Sequence, residues 1–386
     1  MSSSYFDHNA TCPLDSRVRE AMLPWLGERW GNPSSVHRFG QAAHEAVEEA
    51  RERIARLVGA RPPELVLCGS GTEANNAVVR SAASAVAGLP ERSGHLVVSA
   101  LEHPSVRAAT AELAGRGWQV TTVSPGRDGV VDPEVFAAAL RQETALAALQ
   151  LANNELGTVQ PVAAVAARCR ERGVRLLCDA VQAVGKIPVD VEALGVDYLV
   201  LAGHKFHGPL GAAALWVRAG APFRALLVGG AQERRRRAST VNVPAVVGLG
   251  MAADLARREL PARGERLSAL RDRFEAGVAA IPDHAVHGSG APRLPNTTHV
   301  AFHGIEGQTL MIRLDLAGFA VSTGSACAAG VGEPSPALLA MGVSPEESIA
   351  SVRVSVGLGN TPAEVDALLA ALAREVAALR GAAASR

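Results

Sequence analysis

Two lysines, Lys186 and Lys205, stand among the 38 basic residues of this 386-residue chain, and every other basic residue is an arginine. A lysine kept against such a bias is a candidate for chemistry that a guanidinium cannot perform, because a desolvated lysine can lose its proton and act as an amine nucleophile. Lys205 follows the apolar run 197–202 and lies in the Gly/Pro-containing segment 203–209, a common position for catalytic side chains in α/β folds. Lys186 has no such setting, and we expect it to lie on the surface.

Asp179 ends a second apolar run, at the junction with a following turn. A buried carboxylate needs a cationic partner, and two partners are open here: an arginine, or a protonated ring nitrogen. Asp179 together with Lys205, at the end of the next strand, is the pattern that a pyridoxal phosphate site requires. In such a site the lysine binds the cofactor as a Schiff base, and the carboxylate keeps the pyridine nitrogen protonated.

The segment 69–76 follows the strand that ends at Cys68 and opens a helix. Its glycines, Gly71 among them, allow close approach of the backbone. The helix N-terminus with Thr72 offers donors to an anion, for which we favour a phosphate. An ordinary N-cap role for Thr72 is the alternative.

Cys327 lies in a run of small residues, 322–332, that lacks apolar periodicity. We expect a mobile, exposed loop, in which an accessible thiolate could act as a nucleophile. An incidental free thiol is the alternative. The five cysteines form no CxxC pair and no zinc spacing, so we expect neither a disulfide framework nor an intrinsic metal site.

Helix-like and strand-like patterns alternate through the first two thirds of the chain, which predicts βαβ units around a mainly parallel sheet. The expected fold is α/β, with a large cofactor-binding domain at 15–255 and a smaller α+β domain. The small domain is formed by 1–14 and 256–386 and carries the cysteine loop. Helices are predicted at 37–58, 72–88, 104–115, 162–172, 244–279, 306–316 and the last 25 residues; strands are predicted at 64–68, 95–99, 118–123, 145–151, 174–178, 197–201, 212–217, 296–302 and 351–356.

Composition excludes several classes of partner. The formal net charge is zero, which gives no electrostatic reason to expect nucleic acid or an anionic membrane. The first residues lack the features of a signal peptide, and no apolar run approaches the roughly 18 residues of a membrane span. We expect a cytoplasmic location.

Beyond these residues, the chain resembles the NifS/IscS-type cysteine desulfurases of the class V aminotransferase family, which are fold-type I pyridoxal phosphate enzymes. The matching segments occur in the family's order nearly from end to end. They are 5–11, 31–37, 102–103, 153–157, 179–182, 204–205, 232–234 with Thr240, and 324–327.

The resemblance implies roles for the residues around the cofactor ring. Lys205 would hold the cofactor and Asp179 its ring nitrogen, whereas Gln182 and Asn154 would contact the ring hydroxyl and the substrate region. His103 would stack on the ring and carry protons to or from the substrate. A buried histidine with only a structural role is the alternative for His103.

The resemblance also implies a phosphate site formed by Thr72, the backbone at Gly71, and His204. In the family a threonine of the neighbouring subunit completes this site. Thr240 matches that threonine, which implies a homodimer.

For the substrate, Arg353 matches the arginine that binds the carboxylate, because a guanidinium pairs with a carboxylate through two parallel hydrogen bonds. Asn32 is expected to assist at the same carboxylate, and Asn154 is expected nearby. Cys327 matches the nucleophile of the group whose long loop moves between the active site and an acceptor protein. Transient contact of Cys327 with an iron–sulfur cluster remains open.

The resemblance therefore implies removal of sulfur from L-cysteine, giving L-alanine and a Cys327 persulfide. The persulfide would pass to an acceptor such as an iron–sulfur scaffold or a tRNA-thiolation protein. One alternative is another class V enzyme: a selenocysteine lyase, a β-lyase or an aminotransferase. The other is a non-catalytic paralogue.

Several positions depart from the family pattern. Ala202 stands where a serine or threonine commonly donates to the phosphate, Arg235 and Ser239 replace glycines, and Val241 replaces a common glutamate. One lost hydrogen bond to a charged group costs about 1.5–3 kcal/mol. We therefore expect weaker cofactor retention but no loss of a reacting group.

Overall fold

The computed structural model describes residues 4–85, 94–323 and 333–384. The helices are α1 (Ser16–Leu26), α2 (Arg38–Leu57), α3 (Gly71–Ala85), α4 (Pro104–Gly115), α5 (Pro133–Ala139), α6 (Val162–Glu171), α7 (Val191–Leu194), α8 (Val243–Val278), α9 (Gly307–Leu316), α10 (Pro336–Ala340), α11 (Pro345–Ile349) and α12 (Pro362–Ala384). The strands are β1 (Ser4–Tyr5), β2 (Leu65–Cys68), β3 (His95–Ser99), β4 (Gln119–Val123), β5 (Thr144–Ala148), β6 (Arg175–Asp179), β7 (Tyr198–Ala202), β8 (Ala213–Val217), β9 (His284–His287), β10 (Thr297–Phe302), β11 (Phe319–Ala320) and β12 (Ser351–Ser355).

Seven strands form one sheet in the order β2-β8-β7-β6-β5-β3-β4. Strand β8 runs antiparallel to both of its neighbours, and all the other neighbouring pairs are parallel. The short segment 203–212 explains this exception, because a parallel return would need a crossover of a dozen or more residues. The predicted α/β fold with a mainly parallel sheet is confirmed.

Apolar side chains cover both faces of this sheet. One cluster packs helices α2, α6 and α8 against it and includes Ile54 and Leu249. The opposite cluster packs α3 and α4 and includes Val78 and Leu113. Burial on both faces agrees with the near-continuous apolar runs of the strands. The sheet, including its carboxyl edge, is therefore packed between helices on both faces.

A second, antiparallel sheet has the order β12-β10-β9. A separate apolar cluster packs the end of α8, with α9 and α12, against it and includes Phe6, Phe274, Leu310 and Leu372. The boundary we predicted at 255/256 falls inside the single helix α8, so this helix belongs to both parts. The division into two domains stays a proposal. None of the described helices is long and apolar enough to cross a membrane.

Candidate active site

Five candidate residues follow the carboxyl ends of strands in the seven-stranded sheet. Thr72 follows β2, His103 follows β3, Asn154 follows β5, Asp179 ends β6, and Lys205 follows β7. These strands all point in one direction, so the residues gather at one edge. The carboxyl edge of a parallel sheet is the usual ligand-binding edge of α/β folds.

Asp179 is buried at this edge. Its Oδ1 accepts a hydrogen bond from the Val181 backbone N–H at 3.0 Å, and its Oδ2 accepts one from Asn75 Nδ2 at 2.7 Å. Within the described ranges no basic side chain forms an ion pair with Asp179. A buried carboxylate held by neutral donors can take a cationic group from a ligand, and a protonated ring nitrogen fits that requirement.

Lys205 lies beside the N-terminal segment of the chain. Its Nζ donates to the carbonyl oxygens of Asn9 at 2.7 Å and Ala10 at 2.8 Å. Both acceptors are neutral backbone groups, and the side chain is only partly buried. The amine is thus placed at the sheet edge by carbonyls, with Asp179 on the neighbouring strand.

His103 caps helix α4. Its Nδ1 accepts from the Ser105 N–H at 3.1 Å and lies 2.8 Å from Ser105 Oγ. Burial lowers the pKa of His103, with Asp179 raising it and Lys205 lowering it. Because Nδ1 accepts from a backbone N–H, the neutral ring carries its proton on Nε2.

A short hydrogen-bond path joins His103 to Asp179. Ser105 Oγ contacts His103 Nδ1, and Asn75 Nδ2 donates both to Ser105 Oγ at 2.9 Å and to Asp179. Asn75 Oδ1 is buried and has no hydrogen-bond partner. The path fixes the orientation of the acid and the imidazole relative to each other.

Lys186 is buried, so the expected surface position is wrong. Its Nζ donates to Asn9 Oδ1 and to Gln182 Oε1, both at 2.9 Å. Burial lowers the pKa of Lys186 to about 7, with Cys12 opposing and Lys205 adding to that shift. Two amide oxygens therefore accept hydrogen bonds from a buried lysine that the sequence predicted to lie on the surface.

Arg353 is buried on β12, and this strand brings it to the edge of the large sheet. Its Nη1 donates to the Asn154 carbonyl oxygen at 2.9 Å, and its Nη2 forms an ion pair with Asp7. Its Nε is buried without a hydrogen-bond partner. The guanidinium is held in one orientation while part of its donor capacity is unused.

Two of the predicted phosphate residues, Gly71 and Thr72, form the start of helix α3. A Cβ built on Gly71 would lie 3.0 Å from Val181 Cγ2 and 3.9 Å from the Ala202 Cβ, so a side chain at Gly71 would crowd Val181. Thr72 is exposed in the first turn of α3. His204 Nδ1 lies 3.2 Å from Thr11 Oγ1.

Burial lowers the pKa of His204 to about 4, and Lys205 and Lys186 add to the shift. His204 is therefore neutral at pH 7 and would offer a phosphate an N–H rather than a charge.

Other candidates are not joined to this group by the contacts described. Asn32 is exposed, and its Oδ1 accepts from the Ser34 N–H at 3.0 Å, which is a local turn contact. Thr240 is exposed on the loop before α8. Cys327 lies outside the described residues. The roles of all three stay predictions.

Sequence reasoning missed several residues of the site. Asn9 contacts both lysines, Asn75 holds Asp179, and Asp7 holds Arg353. Asn9 and Asp7 belong to the N-terminal segment 5–11, which matches the family pattern. The sequence alone gave no chemical reason to assign these two residues to the site. Nothing in the local sequence distinguishes Asn75 from its neighbour Asn76.

Comparisons with known proteins find similarity along nearly the whole chain. The model of the class-V aminotransferase family matches residues 4–368. A cysteine desulfurase of Trichormus azollae is 42% identical over 381 residues, which is 98% of this chain and 94% of that protein.

Two solved structures are also similar along nearly the whole chain. A NifS-like protein superimposes with a TM-score of 0.91 at 34% identity, covering 98% of this chain and all of that one. A structure described as SspA in complex with cysteine superimposes with a TM-score of 0.82 at 32% identity, covering 92% of this chain and 99% of that one.

Proposed function

Because the chain belongs to the class-V aminotransferase family and resembles its cysteine desulfurases along nearly its whole length, we propose that it removes sulfur from L-cysteine. The products are L-alanine and a persulfide on Cys327. The observation that carries the proposal is the buried Asp179 carboxylate at the end of β6, which has no described ion-pair partner, with Lys205 shortly after the neighbouring strand β7. Family membership confirms the predicted fold class, and with it pyridoxal phosphate as the cofactor.

The residues of the site fit pyridoxal phosphate. Lys205 offers the amine, Asp179 the carboxylate for the ring nitrogen, and Gln182 the amide for the ring hydroxyl. Thr72 and the Gly71 backbone offer neutral donors to the phosphate at the N-terminus of a 15-residue helix, and His204 offers a further donor from the segment after β7. When bound, the cofactor supplies an electron sink for the carbon next to the substrate amino group.

Arg353 binds the substrate carboxylate in this proposal. Its guanidinium is fixed by the Asn154 carbonyl and Asp7, and its unpartnered Nε gives it unused donor capacity. A guanidinium oriented in advance loses little conformational entropy when a carboxylate binds. This arrangement favours an amino acid with a free carboxylate.

His103 and Lys205 are the groups that move protons near the substrate. The neutral His103 ring carries its proton on Nε2, and burial lowers the pKa of His103, which favours this neutral form. Lys205 provides an amine on the same edge. A proton removed from the substrate α-carbon can therefore be held within the site and returned to the product.

Cys327 takes the sulfur. Its thiolate forms an S–S bond with the substrate sulfur while the substrate C–S bond breaks, and the electron pair of that bond stays with the carbon. A proton then completes the methyl group of L-alanine. The thiol sulfur is oxidised to the persulfide level, and the carbon is reduced by the same two electrons, so no further oxidant is needed.

The wider setting is part of the proposal. Thr240 would complete the phosphate site of a second copy, which supports a homodimer. The persulfide would pass to an acceptor protein of iron–sulfur assembly or thiolation, and we propose a cytoplasmic location for this transfer.

The test compares wild-type protein with Cys327→Ser, loaded with pyridoxal phosphate and given L-cysteine and a thiol. We expect L-alanine and sulfide in equal amounts from the wild type, and a loss of at least about 100-fold in Cys327→Ser. Cys169→Ser is the matched control, because Cys169 is buried and burial raises its pKa to about 12. Full alanine production by Cys327→Ser would contradict the proposal.

A further inference from the structure

Lys186 is a buried lysine to which the proposed function gives no task. It lies in the turn after β6, and its backbone N–H donates to the Ala183 carbonyl at 3.0 Å. Taking an ammonium out of water is costly unless its protons are all well placed. The burial of the Lys186 amine therefore requires compensating hydrogen bonds.

Lys186 Nζ donates hydrogen bonds to two amide oxygens. They are Asn9 Oδ1 and Gln182 Oε1, each at 2.9 Å, and within the described ranges no carboxylate pairs with this lysine. A charged ammonium only donates hydrogen bonds. Both amides must therefore turn their oxygens toward Lys186 and their NH2 groups away from it.

The amide orientations have consequences at the catalytic lysine. The Gln182 NH2 group donates to the Asn9 carbonyl oxygen at 2.9 Å, and Lys205 Nζ donates to the same oxygen at 2.7 Å. The Asn9 NH2 group donates to the Asn154 carbonyl at 3.1 Å. One asparagine thus connects Lys186 to Lys205, to Gln182 and to Asn154.

We propose that Lys186 is a positioning residue, which fixes the Gln182 amide and, through the Asn9 carbonyl that this amide shares with Lys205, the Lys205 amine. This inference rests on the proposed function, because it assumes that pyridoxal phosphate occupies the site. Without Lys186, the buried Gln182 Oε1 loses its described donor and the Gln182 amide can rotate by half a turn, whereas Asn9 Oδ1 still accepts from Asn296 Nδ2 at 3.0 Å. The Gln182 NH2 group, which the proposed function assigns to the ring hydroxyl of the cofactor, would then no longer be fixed.

Below its pKa of about 7, Lys186 carries a positive charge that also acts on the lysine-bound cofactor. The other charged or titratable groups around the two lysines are Asp179, Cys12, Arg353 with its partner Asp7, and the histidines His8, His103, His204 and His207. Burial lowers the pKa of these four histidines, with His8 at about 4. Arg353 is paired with Asp7, whereas no carboxylate pairs with Lys186 among the described residues, and a positive charge on either lysine disfavours one on the other. Removal of a neighbouring positive charge lets a protonated group keep its proton to higher pH.

The experiment uses full-length protein loaded with pyridoxal phosphate. Cofactor affinity is measured by equilibrium dialysis, and the visible absorbance of the bound cofactor is titrated against pH. For Lys186→Met we expect about tenfold weaker cofactor binding and a titration midpoint raised by roughly 0.5–1 pH unit. For Lys186→Gln, which keeps a donor without the charge, we expect the raised midpoint with a smaller loss of affinity.

Arg293→Met is the matched control. Arg293 is a mostly buried cation that pairs with Glu275 at 2.7 Å, away from the contacts of Asn9. We expect this variant to lower the melting temperature but to leave the titration midpoint unchanged. Folded Lys186→Met and Lys186→Gln proteins with wild-type affinity and midpoint would overturn the inference, as would an equal shift in Arg293→Met. A wild-type protein without cofactor absorbance would instead contradict the proposed function.

Discussion

Asp7 and Arg353 form an ion pair across the fold, joining the first residues of the chain to the last strand of the small sheet. The pair holds the guanidinium at the edge of the large sheet, where the Asn154 carbonyl accepts a second of its hydrogen bonds. A substrate carboxylate would therefore meet an arginine that is already oriented. Substrate recognition in this account depends on that orientation as much as on the charge.

Arg353→Lys should separate these two contributions. The lysine keeps the positive charge but cannot form two parallel hydrogen bonds with a carboxylate. We expect KM for L-cysteine to rise by about tenfold or more, with a smaller change in kcat. The control is Arg273→Lys, because Arg273 is half-exposed and pairs with Asp366 on the surface; an equal KM increase there would contradict the assignment.

Asp179→Ala should greatly reduce the stabilisation that the cofactor gives to the fold. A ligand that binds only the native state raises the melting temperature, and loss of the ring-nitrogen partner removes most of that binding. Asp197→Ala is the matched control, because Asp197 is also buried beside a strand but pairs with Arg175 at 2.8 Å.

We expect Asp197→Ala to melt at a lower temperature with and without cofactor, yet to keep the cofactor-dependent increase. Thermal melts of both variants, with and without pyridoxal phosphate, provide the measurement. A normal increase in Asp179→Ala would mean that this carboxylate does not hold the cofactor.

Glu102 predicts a specific dependence of stability on pH. It is buried, one of its oxygens accepts from the Gln150 N–H at 2.7 Å, and the other has no hydrogen-bond partner. Burial raises the pKa of Glu102 to about 8 from its ordinary value of 4.5. Between these values the folded state holds a proton that the unfolded state has released, so the contribution to stability falls as the pH rises.

Glu102→Gln removes this titration. We expect the free energy of unfolding of the wild type, relative to Glu102→Gln, to fall by more than about 1.4 kcal/mol between pH 5 and pH 8. Denaturant unfolding of the two cofactor-free proteins at a series of pH values measures the difference. Parallel pH profiles would show that Glu102 is ionised throughout.

Arg235 and Ser239 occupy left-handed backbone conformations, with φ of 65° and 103°. A side chain there costs about 1–2 kcal/mol, whereas glycine adopts such angles freely at a smaller entropic cost. We expect Arg235→Gly and Ser239→Gly each to stabilise the protein by about 0.5–1 kcal/mol, measured by denaturant unfolding. Arg236→Gly is the contrast, because its φ of −94° suits any residue and its side chain donates to Pro63 and Leu65 carbonyls; we expect it to destabilise.

Much of the fold followed from local patterns. The strand at β3 and the helix at α4 have the predicted bounds, and the other predicted elements agree within a few residues. Apolar runs between glycine-rich junctions give strong signals of buried strands. Short elements such as β9 and α7 were missed because four residues carry too little periodicity to be recognised.

The sequence predicted the site residues whose own local setting indicates their chemistry. It did not predict the residues whose role depends on contacts between distant segments of the chain. Asp179 and Lys205 each have a distinctive local setting. Asn9 and Lys186 do not, because their importance comes from a contact between residues 177 positions apart. The scarcity of lysine relative to arginine distinguishes both lysines in the sequence. Only the packing shows that Lys186 is buried rather than exposed.

The central claim is that Lys205 holds pyridoxal phosphate, and the composition of the chain makes this claim directly testable. Borohydride reduction fixes the cofactor to the lysine that carries it, and only Lys186 and Lys205 are available. Peptide mapping by mass spectrometry should then find the phosphopyridoxyl group on the peptide that contains Lys205 and not on the one that contains Lys186. A label on Lys186, or no label on either peptide of the loaded protein, would contradict the account.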